Sequence, residues 1–223
     1  MALTANELEW ISKRMDWYDI KYQEIYNEIS DHILTAIENV RREGDQRPID
    51  IVFQGVVDNH FGGYMGIEEI VKTTEKAYRG KIEKTIRANY SYYTNRQKAI
   101  LLFVLTVIGF YLPYNKTTAI IMTIGLLLIA IVPVIYAYVQ SRTIKTDKGK
   151  RSMVKSHVIG RAFLLIIFFN GIVNTANFIA RELNWTFMRP IFPPVVYMIF
   201  YFLFIIYGLS IVQLCKQEFK IAG

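Results

Sequence analysis

Four long apolar runs follow one another in the second half of this chain, and nothing comparable precedes residue 96. The runs are Gln97–Leu112, Thr117–Tyr138, Val158–Ile179 and Pro194–Leu214. A helix needs about 20 apolar residues to cross a hydrocarbon core about 30 Å thick. The last three runs meet that length, and we expect the shorter first run to borrow from the preceding helix or to thin the bilayer locally. The sequence therefore predicts a four-helix transmembrane domain over residues 96–223.

Residues 1–95 have the pattern of a soluble helical domain. Thr4 and Glu7 fit a capping box that opens a first helix. A second helix is expected from near Tyr18 to about Arg42, because apolar residues recur there at spacings of three and four. The positions of that stripe are Tyr22, Ile25, Tyr26, Ile29, Ile33, Ala36, Ile37 and Val40.

Two further helices complete this predicted N-terminal domain. Pro48 is suited to the first turn of a third helix, which the glycines after Phe61 should end. The fourth helix is expected to begin at Ile67 and to approach the first apolar run. The predicted fold class is therefore all-α, with about four helices before the transmembrane bundle.

Basic residues are distributed unevenly between the two sides of the predicted bundle. Residues 1–95 carry a net charge of −4 and residues 96–223 carry +11. Ten Lys and Arg residues flank the bundle on the side of the N-terminus, the 141–156 loop and the C-terminus, against three on the other side. Because such residues concentrate in cytoplasmic loops, we expect a multi-pass protein of the cytoplasmic (inner) membrane with both termini inside. The basic excess is then a topological signal, and no nucleic-acid partner is predicted.

A basic segment over residues 72–98 joins the two halves. Its net charge is +6, whereas residues 1–71 carry −8. We interpret it as a stalk beside anionic lipid headgroups, which attract each nearby base by about 1 kcal/mol. The alternative is that these bases pair with the domain's own acids. The bases assigned to headgroups are Lys81, Lys84, Arg87, Arg96, Lys98, Lys150 and Arg151.

The continuity of the fourth helix is a second open choice. This helix either runs unbroken into the membrane or bends at Asn89–Asn95.

Three carboxylates, on Glu24, Glu28 and Asp31, share one face of the second predicted helix at i, i+4 and i+7. We predict that this acidic face binds a basic protein partner or a second copy of the chain. With His32 it is a weak candidate for a divalent cation. However, a bundle metal site uses Glu-x-x-His pairs, which the chain lacks. No metal and no cofactor is therefore predicted.

Three amides interrupt the third apolar run. Asn170, Asn174 and Asn177 recur at i, i+4 and i+7, so they share one helical face. Amides in hydrocarbon need hydrogen-bond partners. They are expected either to join helices within the bundle or between two chains, or to line a polar path or ligand pocket. No nucleophile and base form a recognisable catalytic motif, so no catalytic residue is predicted.

Two stretches of the N-terminal half carry a family resemblance. They are Tyr18-Asp19-Ile20 through Glu24, Glu28, Asp31-His32-Ile33 and Glu38, and Phe61-Gly62-Gly63-Tyr64-Met65-Gly66-Ile67 with the Lys/Glu-rich helix that follows. This pattern resembles the HAAS-type helical cytosolic domain over residues 4–90. The apolar half is similar, in architecture alone, to uncharacterised polytopic membrane proteins of the Bacteroidetes group. The resemblance implies a regulatory or signalling adaptor near transporter or transcription-regulator partners, and it implies no catalytic residues.

The sequence thus favours a non-enzymatic membrane protein. Its N-terminal domain is expected to bind a partner or to self-associate, and the stalk would couple that event to the bundle. The first alternative is a small transporter, channel or accessory subunit that uses the Asn170, Asn174 and Asn177 face. A lipid-modifying enzyme built on Asp147, His157 and Arg161 is a third hypothesis.

Overall fold

A computed structural model describes residues 3–94, 96–147, 149–182 and 192–222, with side chains described outside 95–99, 179–191 and 220–223. The described residues form helices and connecting segments, and they contain no regular strand. The helices are α1 (Ala5–Met15), α2 (Gln23–Arg42), α3 (Ile49–Phe61), α4 (Gly63–Tyr93), α5 (Arg96–Tyr111), α6 (Lys116–Gln140), α7 (Met153–Glu182) and α8 (Pro194–Ala222), and a 3-10 turn at Ser141–Thr143 follows α6. The all-α class predicted from the sequence is confirmed.

The chain divides into two compact units, and the division differs from the compositional change near residue 96. The first unit comprises Met1–Gly80 together with Lys145–Met153. The second comprises Lys81–Ile144 and Val154–Gly223. Packing thus assigns a short segment between two apolar helices to the N-terminal unit.

The core of the first unit is built from the stripe of α2. Ile25, Ile29, Ile33 and Ile37 are each at most 2% exposed, as the predicted spacing requires. They meet the apolar face of α3, where Phe53 is fully buried and packs edge-to-face on Trp10 at 5.6 Å between ring centroids. Fully burying one such side chain contributes about 1.5–3 kcal/mol, so this core stabilises the unit.

The start of α2 differs from the sequence prediction. The helix begins at Gln23 rather than near Tyr18. Tyr18 and Ile20 lie in the connection from α1 and are buried, at 7% and 3% exposure. Because burying both side chains holds this connection against the core, residues 18–22 do not continue a regular helix.

The corner between α3 and α4 depends on glycine. Gly62 ends α3 in the left-handed region, with φ of 71°, a conformation that costs glycine little. The fourth helix begins at Gly63, four residues before the predicted start at Ile67. It ends at Tyr93 and α5 begins at Arg96, whereas Asn95 lies outside the described residues.

Three helices of the second unit are long and apolar enough to cross a membrane: Lys116–Thr143, Met153–Phe178 and Pro194–Phe219. The first predicted span corresponds to a shorter apolar helix, Ile100–Tyr111.

The helices α5 and α6 approach α8 closely. A Cβ on Gly109 would lie 2.7 Å from the Cα of Val195, and a Cβ on Gly125 would overlap the hydroxyl of Tyr201. That hydroxyl donates a 2.7 Å hydrogen bond to the carbonyl of Met122.

Glu7 connects the first turn of α1 to the last turn of α2. Its carboxylate accepts from the amide of Thr4 at 2.9 Å, completing the predicted capping box, and it pairs with Arg41 at 2.7 Å. The hydrogen bond from the Thr4 amide, followed by that from the Thr4 hydroxyl, holds the pKa of Glu7 below its ordinary value, and Arg41 adds to this.

Glu7→Gln is therefore expected to lower the free energy of unfolding by about 1 kcal/mol at pH 7. A carboxylate with a depressed folded-state pKa stabilises above its unfolded pKa, and this contribution is lost as pH falls through the folded value. The difference between wild type and variant should thus begin to shrink near the unfolded pKa of about 4.3 and vanish below the lower folded pKa. Urea unfolding monitored by intrinsic tryptophan fluorescence across this pH range measures it, and a constant difference at all pH values would contradict the assignment.

Candidate functional site

Residues 145–153 pack against the start of α2, and we call this contact the loop junction (residues 145–153 with Lys21–Glu24). The amide of Arg151 donates to the carbonyl of Lys21 at 2.9 Å, and the amide of Gln23 donates to the carbonyl of Arg151 at 2.9 Å. These bonds form an isolated parallel bridge between Tyr22 and Arg151. The amide of Asp147 adds a 3.1 Å bond to the side-chain oxygen of Gln23. The segment is therefore held by its backbone as well as by side chains.

Glu24 caps the helix that begins at the junction. Its carboxylate accepts from the hydroxyl of Ser152 at 2.6 Å and from the amide of Met153 at 2.8 Å. Met153 is the first residue of α7, where backbone amides lack intrahelical partners and favour negative charge. Its side chain is 6% exposed within the core of the first unit. Glu24 thus fixes the position at which α7 begins.

Lys150 adds a charged contact to the junction. Its ammonium lies 4.2 Å from the ring centroid of Tyr26 and 3.9 Å from the carboxylate of Asp16. Only 16% of its side chain is exposed. Burial is the main cause that raises the pKa of Tyr26, which therefore remains a neutral ring beneath the ammonium at physiological pH. Because of its contacts with Tyr26 and Asp16, Lys150 is packed within the first unit and is mostly shielded from solvent.

A half-open cleft of about 320 Å³ lies next to the junction in the first unit. Its walls include Lys21 and Tyr22, whose backbone also contacts the loop. Tyr18 and Tyr64 stack at its edge with ring centroids 5.4 Å apart, and burial raises the pKa of Tyr18. Across the cleft, Lys72 pairs with Glu68 at 2.6 Å. A ligand bound in this cleft would therefore lie beside Lys21 and Tyr22, whose backbone holds residues 145–153.

The predicted acidic face divides into two parts. Glu24 is partly buried and bonded to the loop, so it is not presented to a partner as Glu28 and Asp31 are. Glu28, Asp31 and His32 are exposed. In the described part of the chain, no three His, Cys, Asp or Glu residues are close enough together to hold a metal ion.

The bases assigned to lipid headgroups lie in different settings. Lys81 bonds to Glu218 of α8 at 3.1 Å in the second unit, so its partner is not one of the acids of the N-terminal domain. Lys84 and Arg87 are exposed, whereas the side chains of Arg96 and Lys98 lie outside the described residues. Lys150 and Arg151 belong to the loop junction, where Lys150 is mostly covered and Arg151 is exposed.

The three amides of α7 lie on an exposed face of the second unit. Asn174 donates to the side-chain oxygen of Asn170 at 3.2 Å, so these two share one hydrogen bond within the helix. Arg161, from the enzyme hypothesis, pairs with Glu83, and its carbonyl accepts from the hydroxyl of Tyr207 at 3.1 Å. The described contacts thus assign Arg161 to packing between helices.

Sequence reasoning missed the loop junction because the contact joins residues more than a hundred positions apart. Ser152 and Glu24, for example, are separated by 128 positions. One local signal was present: Met153 and Val154 are apolar residues directly after a basic loop, and both are buried. Two such apolar residues predict burial in a core, but the sequence does not show whether this is the core of the N-terminal domain or that of the apolar helices.

Comparison with protein-family models, curated proteins and solved structures finds no match.

Proposed function

We propose that this protein is a non-enzymatic, multi-pass membrane adaptor that transmits the state of its first unit to its apolar helices. The observation that carries the proposal is the loop junction, because residues 145–153 connect α6 to α7 and yet belong to the first unit. A change at Lys21–Glu24 would act directly on the first residues of α7. The regulatory role implied by the HAAS-type resemblance is consistent with this arrangement.

In the proposed topology α5, α6, α7 and α8 all cross the cytoplasmic membrane. The three longer helices have the required length, and the shorter α5 would span with local thinning of the bilayer. The excess of bases beside both termini and in the 141–156 loop supports a cytoplasmic location for the first unit. The exposed bases Lys84 and Arg87 would then lie near anionic headgroups.

The proposed input is a protein with a basic surface, or a second copy, that binds the exposed acids of α2. Glu28 and Asp31 present exposed carboxylates, and residues 1–71 carry a net charge of −8. Opposite charge raises the association rate and disfavours acidic competitors. The cleft beside Lys21 offers a second place where an occupant would reach the loop junction.

Glu28→Lys/Asp31→Lys is expected to reduce partner capture about tenfold, because two favourable charges become repulsive. Chemical crosslinking in native membranes followed by mass spectrometry measures the captured species. Glu43→Lys/Glu69→Lys is the matched control, since it makes the same charge change at two other exposed acids of the unit. A basic partner lost in the first variant and retained in the control supports the proposal. Equal capture by both variants would refute this acidic docking face.

The alternative function, a small transporter, channel or accessory subunit, has weaker support. Such a pathway needs polar groups around an aqueous space. Asn170, Asn174 and Asn177 are exposed, and among the described residues of the second unit they line no enclosed polar space.

A further inference from the structure

One face of α7 has the spacing of a helix–helix seam. Its positions are Gly160, Phe163, Ile167, Asn170, Asn174 and Asn177, and we call them the α7 seam. Successive members are separated by three, four, three, four and three residues. This alternation, with a mean near 3.5, is the repeat by which two helices pack along a common stripe.

Within the described residues of the second unit, no side chain covers this seam. All six positions are exposed, with Phe163 at 45% and Ile167 at 61%. The contacts of α7 with its own unit lie on another face, where Val158, Ala162 and Leu165 are each at most 2% exposed. The seam is therefore available to a separate chain.

The amide side chains of the α7 seam indicate that it does not face lipid acyl chains. Asn170 lies near the middle of the apolar run 158–179, and Asn174 lies one helical turn closer to its end. The hydrogen bond between them uses one N–H of Asn174 and the carbonyl oxygen of Asn170. The described residues provide no partner for the amino group of Asn170 or the carbonyl oxygen of Asn174. Acyl chains cannot accept or donate these hydrogen bonds.

We infer that the α7 seam is the interface of a parallel homodimer within the membrane. A second copy inserts in the same orientation, so it places each seam residue at the same depth as its counterpart. The Asn side chain carries both donors and an acceptor, which makes the seam complementary to itself about a two-fold axis. Asn at core positions of paired helices also fixes the register.

The apolar part of the seam fits the same occupant. A Cβ on Gly160 would meet nothing within 4 Å, so space for a neighbouring backbone exists beside this residue. Phe163 and Ile167 lie between Gly160 and the amides, and they would pack against their counterparts. Small residues that let helices approach and amides that bond across them are the features of membrane helix interfaces.

The first test measures dimerisation of the full chain in phosphatidylcholine vesicles by energy transfer between fluorophores at varied protein-to-lipid ratios. Asn170→Leu/Asn174→Leu is expected to shift the half-dimer point to about tenfold higher protein density for each amide pair lost. Thr175→Leu is the matched control, because it replaces an exposed polar residue of the same helix outside the seam. Circular dichroism confirms that each variant remains helical.

The second test leaves the amides in place. In a Cys215→Ala background, Phe163→Cys and Ile167→Cys should form disulfide-linked dimers under mild oxidation in native membranes, whereas Phe168→Cys should not, although it is 62% exposed. Wild-type protein that stays monomeric at every density, or a half-dimer point unchanged by the double leucine variant, would overturn the inference. Crosslinks from the seam to another protein without homodimers would do the same. The result is independent of the acidic face of α2, so this inference and the proposed function can fail separately.

Discussion

Glu24→Ala is expected to release residues 145–153 from the first unit. The carboxylate accepts two hydrogen bonds, from the Ser152 hydroxyl and the Met153 amide. A hydrogen bond to a charged group contributes about 1.5–3 kcal/mol, and Glu24 is partly exposed, so the loss should be about 2–4 kcal/mol for the pair. The variant also removes negative charge from the first turn of α7, where it is favourable.

Hydrogen exchange measures this release directly. The amides of Arg151 and Met153 are bonded at the junction, and in Glu24→Ala their exchange should accelerate about 30-fold or more. Glu28→Ala is the matched control, because it removes the same side chain one turn later from an exposed position. Exchange at both amides should stay at the wild-type rate in this control. Equal protection in Glu24→Ala and wild type would show that the carboxylate does not hold the junction.

Gly66→Ala is expected to disrupt the corner between α3 and α4. A Cβ at this position would overlap the carbonyl oxygen of Phe61 and lie 2.7 Å from its carbonyl carbon. Both are backbone atoms at the end of α3, so no side-chain rotation relieves the overlap. The expected loss of unfolding free energy is about 3 kcal/mol or more, at the severe end for a single substitution.

The matched substitution is Gly80→Ala, in the same helix. A Cβ there would meet nothing within 4 Å, and alanine favours a helix interior over glycine by roughly 0.5–1 kcal/mol. The two variants should therefore shift the thermal unfolding midpoint in opposite directions. Calorimetry of the detergent-solubilised chain measures both shifts. Similar midpoints for the two variants would contradict the close packing at this corner.

Local patterns predicted the helices of the first unit well. The capping box of Thr4 and Glu7 and the stripe of α2 depend on residues three or four apart, and both are confirmed. The beginnings of α2 and α4 were misplaced, because they depend on the burial of Tyr18 and Ile20 and on the close approach of Gly66 to Phe61, which a helical repeat does not reveal.

Periodicity also explains what the sequence left open at the candidate sites. It placed Asn170, Asn174 and Asn177 on one face, but not the direction of that face relative to the other helices of the unit. It grouped Glu24 with Glu28 and Asp31, although only Glu24 meets the loop. In both cases the missing information was which distant segment packs beside the helix, and a repeat within one segment does not contain it.

The assignment of residues 145–153 to the first unit has a consequence for biosynthesis. Residues 81–144, which include α5 and α6, must leave the ribosome before the loop is available to Lys21–Glu24. At about 5–20 residues per second this delay is roughly 3–13 s. The nascent N-terminal unit therefore waits, with its Met153 site unfilled, until the first apolar helices have been made. The core of the first unit is therefore completed only after α5 and α6 have been synthesised.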